Sequence, residues 1–105
     1  MVIITKTTLD EFAQGHSTIA EPLNLWYEIT KKADWRNFHD IKNTFNSVDA
    51  VGNDRYVFNI KGNDYRLITL ILFKVRTIFI LWLGTHAEYD KLNKATGARN
   101  VNYKN

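Results

Sequence analysis

The chain has 105 residues, 45% of them hydrophobic and 24% charged, with a net charge of +3 and an isoelectric point near 9.2. That is the size of one domain with one core, in the ordinary balance of a globular protein. No cysteine is present, which excludes disulfides, thiolate zinc sites and cysteine nucleophiles. The modest basic excess admits a phosphate-bearing partner without requiring one.

"MVIIT" (1–5) reads as a short strand. It carries no basic segment followed by a small-residue cleavage site, so no signal peptide is expected. The longest apolar stretch, 67–83, is broken by Lys74 and Arg76 and is too short to span a bilayer, which takes about 20 apolar residues. A cytoplasmic protein with no membrane partner is the expectation. Thr8-Leu9-Asp10-Glu11 has capping-box spacing and predicts a helix to about Gly15. Thr18-Ile19-Ala20-Glu21 repeats the signal before a longer helix with Ile19, Leu23, Trp26 and Ile29 on one face and Pro22 near its first turn. Asp34 is positioned to cap a third helical piece carrying Trp35, Phe38, Ile41 and Phe45.

"NSVDAVGND" (46–54) is polar and reads as a turn. Beyond it the hydrophobic period shortens from about 3.6 to 2, and 55–60, 65–74 and 77–84 read as three strands of an antiparallel meander. A helix from about His86 to Ala95 follows, and a polar tail over 96–105 is expected to be partly ordered at most. The fold class is α+β: an antiparallel sheet of the N-terminal strand and the meander, with helices on one face, as a single domain over 1–105.

Gly62-Asn63 suits a two-residue hairpin turn, which sets Ile60 opposite Tyr65, Asn59 opposite Arg66 and Phe58 opposite Leu67. Alternation then sends Tyr56, Phe58, Ile60, Tyr65, Leu67 and Ile71 toward the helices. Arg55, Val57, Asn59, Lys61, Asp64 and Arg66 take the other face. The third strand returns Thr85 to about the level of Arg66, within two residues, so His86 and Arg66 should be neighbours. Thr85-x-x-Glu88 is a capping box that sets His86 in a first helical turn, with Tyr89 and Asp90 next to it on the helix surface. Imidazole moves protons near neutrality, a helix N-terminus suits an anion, and a guanidinium matches phosphate.

Each residue also has a plainer use. His86 could be a surface residue of the cap, Tyr89 a core residue and Arg66 a partner of Asp64 or Glu88. Lys91 and Lys94 could belong to a solvated helix face, and the three tryptophans to the core. His16 and His39 have no spacing that suggests a metal. Convergence from separate elements is what favours a site.

"YVFNIKGNDYRLI" (56–68), "GTHAEYDKL" (84–92) and the Trp-centred "DWRNFHDIKNTF" (34–45) together resemble the HigB family of toxins within the RelE-like group, over nearly the whole chain as far as Leu92. The resemblance implies a small RelE-like fold and a messenger-RNA endoribonuclease working without metal or cofactor, in which the ribose 2′-hydroxyl attacks the adjacent phosphate. It implies Arg66, His86, Tyr89 and Lys61 as catalytic residues, and Arg55, Asn59, Asn63, Lys91 and Lys94 as RNA contacts. It further implies mRNA on the ribosome as substrate and a HigA-like helix-turn-helix antitoxin as partner. A non-catalytic RNA- or ribosome-binding module using the same corner, or a subunit that only docks a partner, stay open on the residues alone.

Overall fold

The computed structural model describes residues 1–103, so the last two positions of the polar tail lie outside the described residues. In chain order the elements are β1 (Val2–Ile4), α1 (Lys6–Gly15), a 3-10 turn (Ser17–Ile19), α2 (Ala20–Lys32), α3 (Phe38–Thr44), β2 (Val48–Gly52), β3 (Arg55–Ile60), β4 (Tyr65–Leu72), β5 (Thr77–Thr85) and α4 (His86–Ala95). The strands form one sheet in the order β1-β5-β4-β3-β2.

The α+β class and the meander are as expected; the sheet is mixed rather than antiparallel. β1 runs parallel to β5, with Val2 opposite Thr77 and Ile4 opposite Phe79. Parallel neighbours need a long crossover, and here the connection includes the entire helical layer. A fifth strand, β2, occupies part of the segment read as a turn and pairs antiparallel with β3. Its five residues, VDAVG, are mostly exposed on this edge strand and stand between Asn46-Ser47 and Asn53-Asp54, so the segment as a whole reads as a loop.

Three helix starts also differ from the capping signals. α1 begins right after Thr5, whose φ of 77° breaks the strand, and Thr8 lies inside the helix. Thr18 sits in the 3-10 turn that leads without a gap into α2, whose N-cap makes no side-chain hydrogen bond. Asn37 rather than Asp34 caps α3, accepting from the Asp40 N–H at 3.0 Å. Asp34 instead pairs with Arg76 at 3.1 Å and Arg36 at 3.6 Å.

Both faces of the sheet are covered. On the first, α1, α2 and α3 bury Leu9, Ile19, Leu23, Trp26 and Ile41 against Phe58, Ile60, Leu67, Ile71, Ile78 and Ile80. Phe58, 1% exposed, is the hub: Trp26 meets it edge-on at 5.3 Å, Phe45 edge-on at 5.7 Å and Trp35 stacked at 6.1 Å. On the second, Val57, Ile68, Leu81 and Ala98 are buried beneath α4 and the C-terminal segment. That segment is therefore packed as far as it is described. Arg55 donates through Nε and Nη2 to the Val101 carbonyl at 3.2 and 3.0 Å, Asn53 donates to the Arg99 carbonyl, and Tyr103 meets Phe79 edge-on. The tail's polar composition hid this, because two of its holds are on backbone carbonyls and its apolar anchors, Ala98, Val101 and Tyr103, are isolated among polar residues.

One irregularity decides which side chains share a face. Pairing of β4 with β5 slips between Ile68 and Thr69: Ile68 faces Trp82, Thr69 faces Ile80, and Leu81 is the extra residue. A β-bulge of this kind inverts the alternation beyond it. Leu81 and Trp82 both join the second face, Leu83 returns to the first, and Gly84 comes opposite Arg66.

Because three aromatic rings converge on Phe58, Phe58→Ala should cost about 3–5 kcal/mol of stability. Urea denaturation of the variant would measure it; a loss near that of an exposed aromatic would refute the hub.

Candidate active site

The hairpin and α4 assemble a corner on the second face. The predicted register holds throughout: Ile60 faces Tyr65, Asn59 faces Arg66 and Phe58 faces Leu67. The turn closes with the Asp64 N–H donating to the Lys61 carbonyl at 3.2 Å, and Gly62 takes φ 63°, a conformation that suits glycine. Lys61 pairs with Asp64 at 3.8 Å across the turn.

Arg66 is half-buried and firmly placed. Its Nη1 donates to the carbonyls of Asn63 and Tyr65 at 3.1 and 3.2 Å, and its Nη2 donates to the Asn63 side-chain oxygen at 2.8 Å. A guanidinium has five N–H donors, so two remain for a substrate. Its Cζ lies 6.0 Å from the centre of the Tyr89 ring, within range of a cation–π attraction of about 0.5–2 kcal/mol. The Trp82 ring also meets Tyr89, with centroids 6.2 Å apart and planes tilted by 48°, so Tyr89 contacts both Arg66 and Trp82.

α4 is started by the expected cap. Thr85 Oγ accepts from the Glu88 N–H at 3.2 Å, and the Glu88 carboxylate accepts from the Thr85 N–H at 2.8 Å. That bond from the Thr85 N–H is the main cause that holds Glu88 below its ordinary 4.5, against the opposing effect of burial. The His86 N–H donates to the Asp64 carbonyl at 2.9 Å and ties the first residue of α4 to the hairpin turn. Its imidazole Nδ1 lies 3.5 Å from the Asp90 carboxylate. Nδ1 is enclosed and makes no hydrogen bond of good geometry. Burial raises Tyr89 above its ordinary 10.0, Asp49 and Asp90 add to this, and Arg66 opposes it. The phenol keeps its proton at neutral pH and is a donor there.

Of the predicted residues, the structure brings Asn63 and Tyr89 each to Arg66, with His86 joined to the same turn through its backbone and Lys61 across it. The group that meets the guanidinium is Tyr89, not the imidazole, which is set against Asp90. Asn59 lies opposite Arg66, and its amide donates to Ser47 Oγ. Lys91 and Lys94 are exposed on α4. Arg55 is not brought in: it lies four residues from Asn59 along β3, roughly 13 Å, and its guanidinium is committed to the C-terminal segment. Among the described residues, no group of three or more His, Asp or Glu side chains gathers as a metal ligand set would.

Sequence reasoning missed Trp82, Gly84 and Asp49. Trp82 is expected in the core with the other tryptophans; it packs instead on the second face, partly buried beside Tyr89. Gly84 has a specific reason to be glycine: a Cβ there would stand 2.4 Å from the Trp82 ring and 3.1 Å from the Glu88 carboxylate. Asp49 sits on the unrecognised β2. A glycine at the end of an otherwise apolar strand was the available signal, since it marks a bulge or a close approach.

Gly84→Val should displace Trp82 and cost about 1–3 kcal/mol, as overpacking does, with loss of the Trp82–Tyr89 contact visible in fluorescence. A variant as stable as the wild type would refute the close approach. Thr85→Ala should cost about 1 kcal/mol by loss of the cap. Since the Glu88 carboxyl is depressed in the folded state, its contribution is present above pH 4.5 and fades as pH falls through the folded value. The stability gap between wild type and Glu88→Gln should therefore close in acid; a gap constant from pH 7 to pH 3 would contradict this.

The sequence model of one protein family, described as the RelE-like toxic component of a toxin–antitoxin system (HigB toxin), matches residues 19–92. An mRNA interferase HigB of Escherichia coli O6:H1 is 31% identical over 96 residues, covering 90% of this chain and 93% of the relative. An mRNA interferase toxin HigB of Escherichia coli (strain K12) and an mRNA interferase HigB of Shigella flexneri are each 27% identical over 92 residues, covering 86% of this chain and 88% of the relative. The family match spans α2, α3, the whole meander and the first turns of α4, and so includes every residue of the corner: this chain belongs to the HigB family of RelE-like toxins.

Proposed function

We propose that this protein is an mRNA interferase, an endoribonuclease that cuts messenger RNA on the ribosome and halts growth until its antitoxin binds. The observation that carries this reading is the Arg66 guanidinium, held by three acceptors on Asn63 and Tyr65 and backed by the Tyr89 ring, with two donors still open. The names of the similar proteins, all mRNA interferases, support it.

The reaction balances with groups of the corner. The 2′-hydroxyl oxygen attacks the adjacent phosphorus and its proton passes to a base. The bond from phosphorus to the 5′-oxygen breaks, and that oxygen receives a proton, leaving a cyclic phosphate and a 5′-hydroxyl. Arg66, helped by Lys61, neutralises the charge that builds on the non-bridging oxygens; such a donor is worth about 10²–10³ in rate. The His86 imidazole, one nitrogen facing Asp90, takes the 2′-hydroxyl proton. The Tyr89 phenol, kept protonated by its surroundings, gives one to the leaving oxygen. Asn59, Asn63, Lys91 and Lys94 receive flanking nucleotides. Arg55 serves the C-terminal segment.

Arg66→Ala should slow cleavage about 10²–10³-fold, and His86→Ala about 10²–10⁴-fold, with relief of growth arrest in both. Tyr89→Phe keeps the ring against Arg66 and should lose rate without losing RNA affinity. Cleavage of mRNA with and without ribosomes, read beside filter binding, is the measurement. RNA that is bound in a salt-dependent way but stays intact in the presence of ribosomes would establish a binding module instead.

A further inference from the structure

Charge is divided unevenly along this chain. Residues 7–30 hold four acids (Asp10, Glu11, Glu21 and Glu28) and no Lys or Arg, a net charge of −4; the whole chain carries +3, which leaves +7 on the remainder. That stretch is most of α1 and α2, whose basic residues (Lys6, Lys31 and Lys32) stand at the helix ends, so the acids take the middle of the two helices, on the sheet face opposite the Arg66 corner. Between the two helices runs a groove of about 680 Å³. Leu9 and Leu23, each 3% exposed, lie deepest, Ala13 and Tyr27 are half-buried beside them, and Asp10 and Glu21 stand at the rim.

We propose that this groove is where the antitoxin anchors, through an amphipathic helix that has an apolar stripe and flanking Lys or Arg residues. The proposal rests on the membership in a toxin–antitoxin family, which supplies a partner but not its place of contact. The charge selects the occupant. Phosphates are repelled by this surface, so RNA belongs to the other face, whereas a basic helix finds opposite charge around an apolar floor. The shape selects the secondary structure. Helices packed side by side present a furrow into which the ridges of a third helix fit, and α1, at 10 residues, offers about 15 Å of it. A strand would need an open sheet edge, and the edges here are β1 and β2, neither of which lines the groove. Antitoxin capture and RNA cleavage then use separate surfaces and can be separated by substitution.

The test is isothermal titration of the full chain with the antitoxin encoded beside it, at low and high salt. Asp10→Asn combined with Glu21→Gln removes the rim charge, and Asn24→Trp, at an exposed position on the groove, fills it. Each should weaken binding about tenfold or more, while Arg66→Ala binds as the wild type does. Wild-type affinity should fall as salt rises, an observation that needs no variant. Groove variants that bind within about twofold of wild type, or an affinity indifferent to salt, would overturn the proposal. So would loss of binding by Arg66→Ala alone, which would move the antitoxin to the corner, or a dimer of this chain that the groove variants dissolve. Binding, not cleavage, is read, so a failure here leaves the nuclease reading standing, and a wild type that cuts no RNA leaves the anchor standing.

Discussion

The corner depends on a single extra residue in β5. With regular pairing from the Leu72–Thr77 end, Leu83 would lie opposite Arg66 and Trp82 would point into the helical core. The bulge at Leu81 shifts the register by one and inverts the faces beyond it. Gly84 then stands opposite the arginine, Trp82 lies across the glycine, and α4 starts at the point from which Tyr89 reaches over the guanidinium. A branched side chain at 84 would fill the space the tryptophan uses. Backbone irregularity, glycine and the Trp82–Tyr89 contact are one arrangement.

The two faces of the sheet divide the labour. The first carries the aromatic hub and the three helices packed on it, which make the bulk of the core. The second carries fewer buried residues and is covered by short pieces: α4, and a C-terminal segment held by Arg55 and Asn53 through its carbonyls. A lightly covered face is where a charged corner can be built at small cost, because Arg66 need only be half-buried and can keep its partners among backbone and amide oxygens. Pre-positioning by those partners matters more for phosphate recognition than charge alone, since an exposed cation attracts phosphate without orienting it.

Most of the fold was legible because it rests on local patterns. Strand alternation, the Gly62-Asn63 turn and the Thr85–Glu88 cap gave β3, β4, their register and the start of α4, and these place Arg66, Asn63 and Tyr89 on one corner. The parts that misled were those where local chemistry and tertiary role part company. β2 looks like a turn because its five residues are short of a full alternating run and are flanked by Asn46-Ser47 and Asn53-Asp54. The tail looks partly ordered at most because its hold is on main-chain oxygens and a few scattered apolar side chains. Thr8 and Thr18 look like caps, yet the breaks at Thr5 and the 3-10 turn start the helices earlier.

What the sequence determined by itself was the menu of elements, the hairpin register and the family likeness, since each is written in neighbouring residues. Only the tertiary structure decided that β1 joins the sheet in parallel, that the second face is covered by the tail, and that Tyr89 rather than His86 meets the guanidinium. The reason is physical: each of these turns on pairings between segments distant in sequence, and one unpaired residue, invisible in the pattern of a uniformly apolar strand, inverts the side on which every later side chain appears.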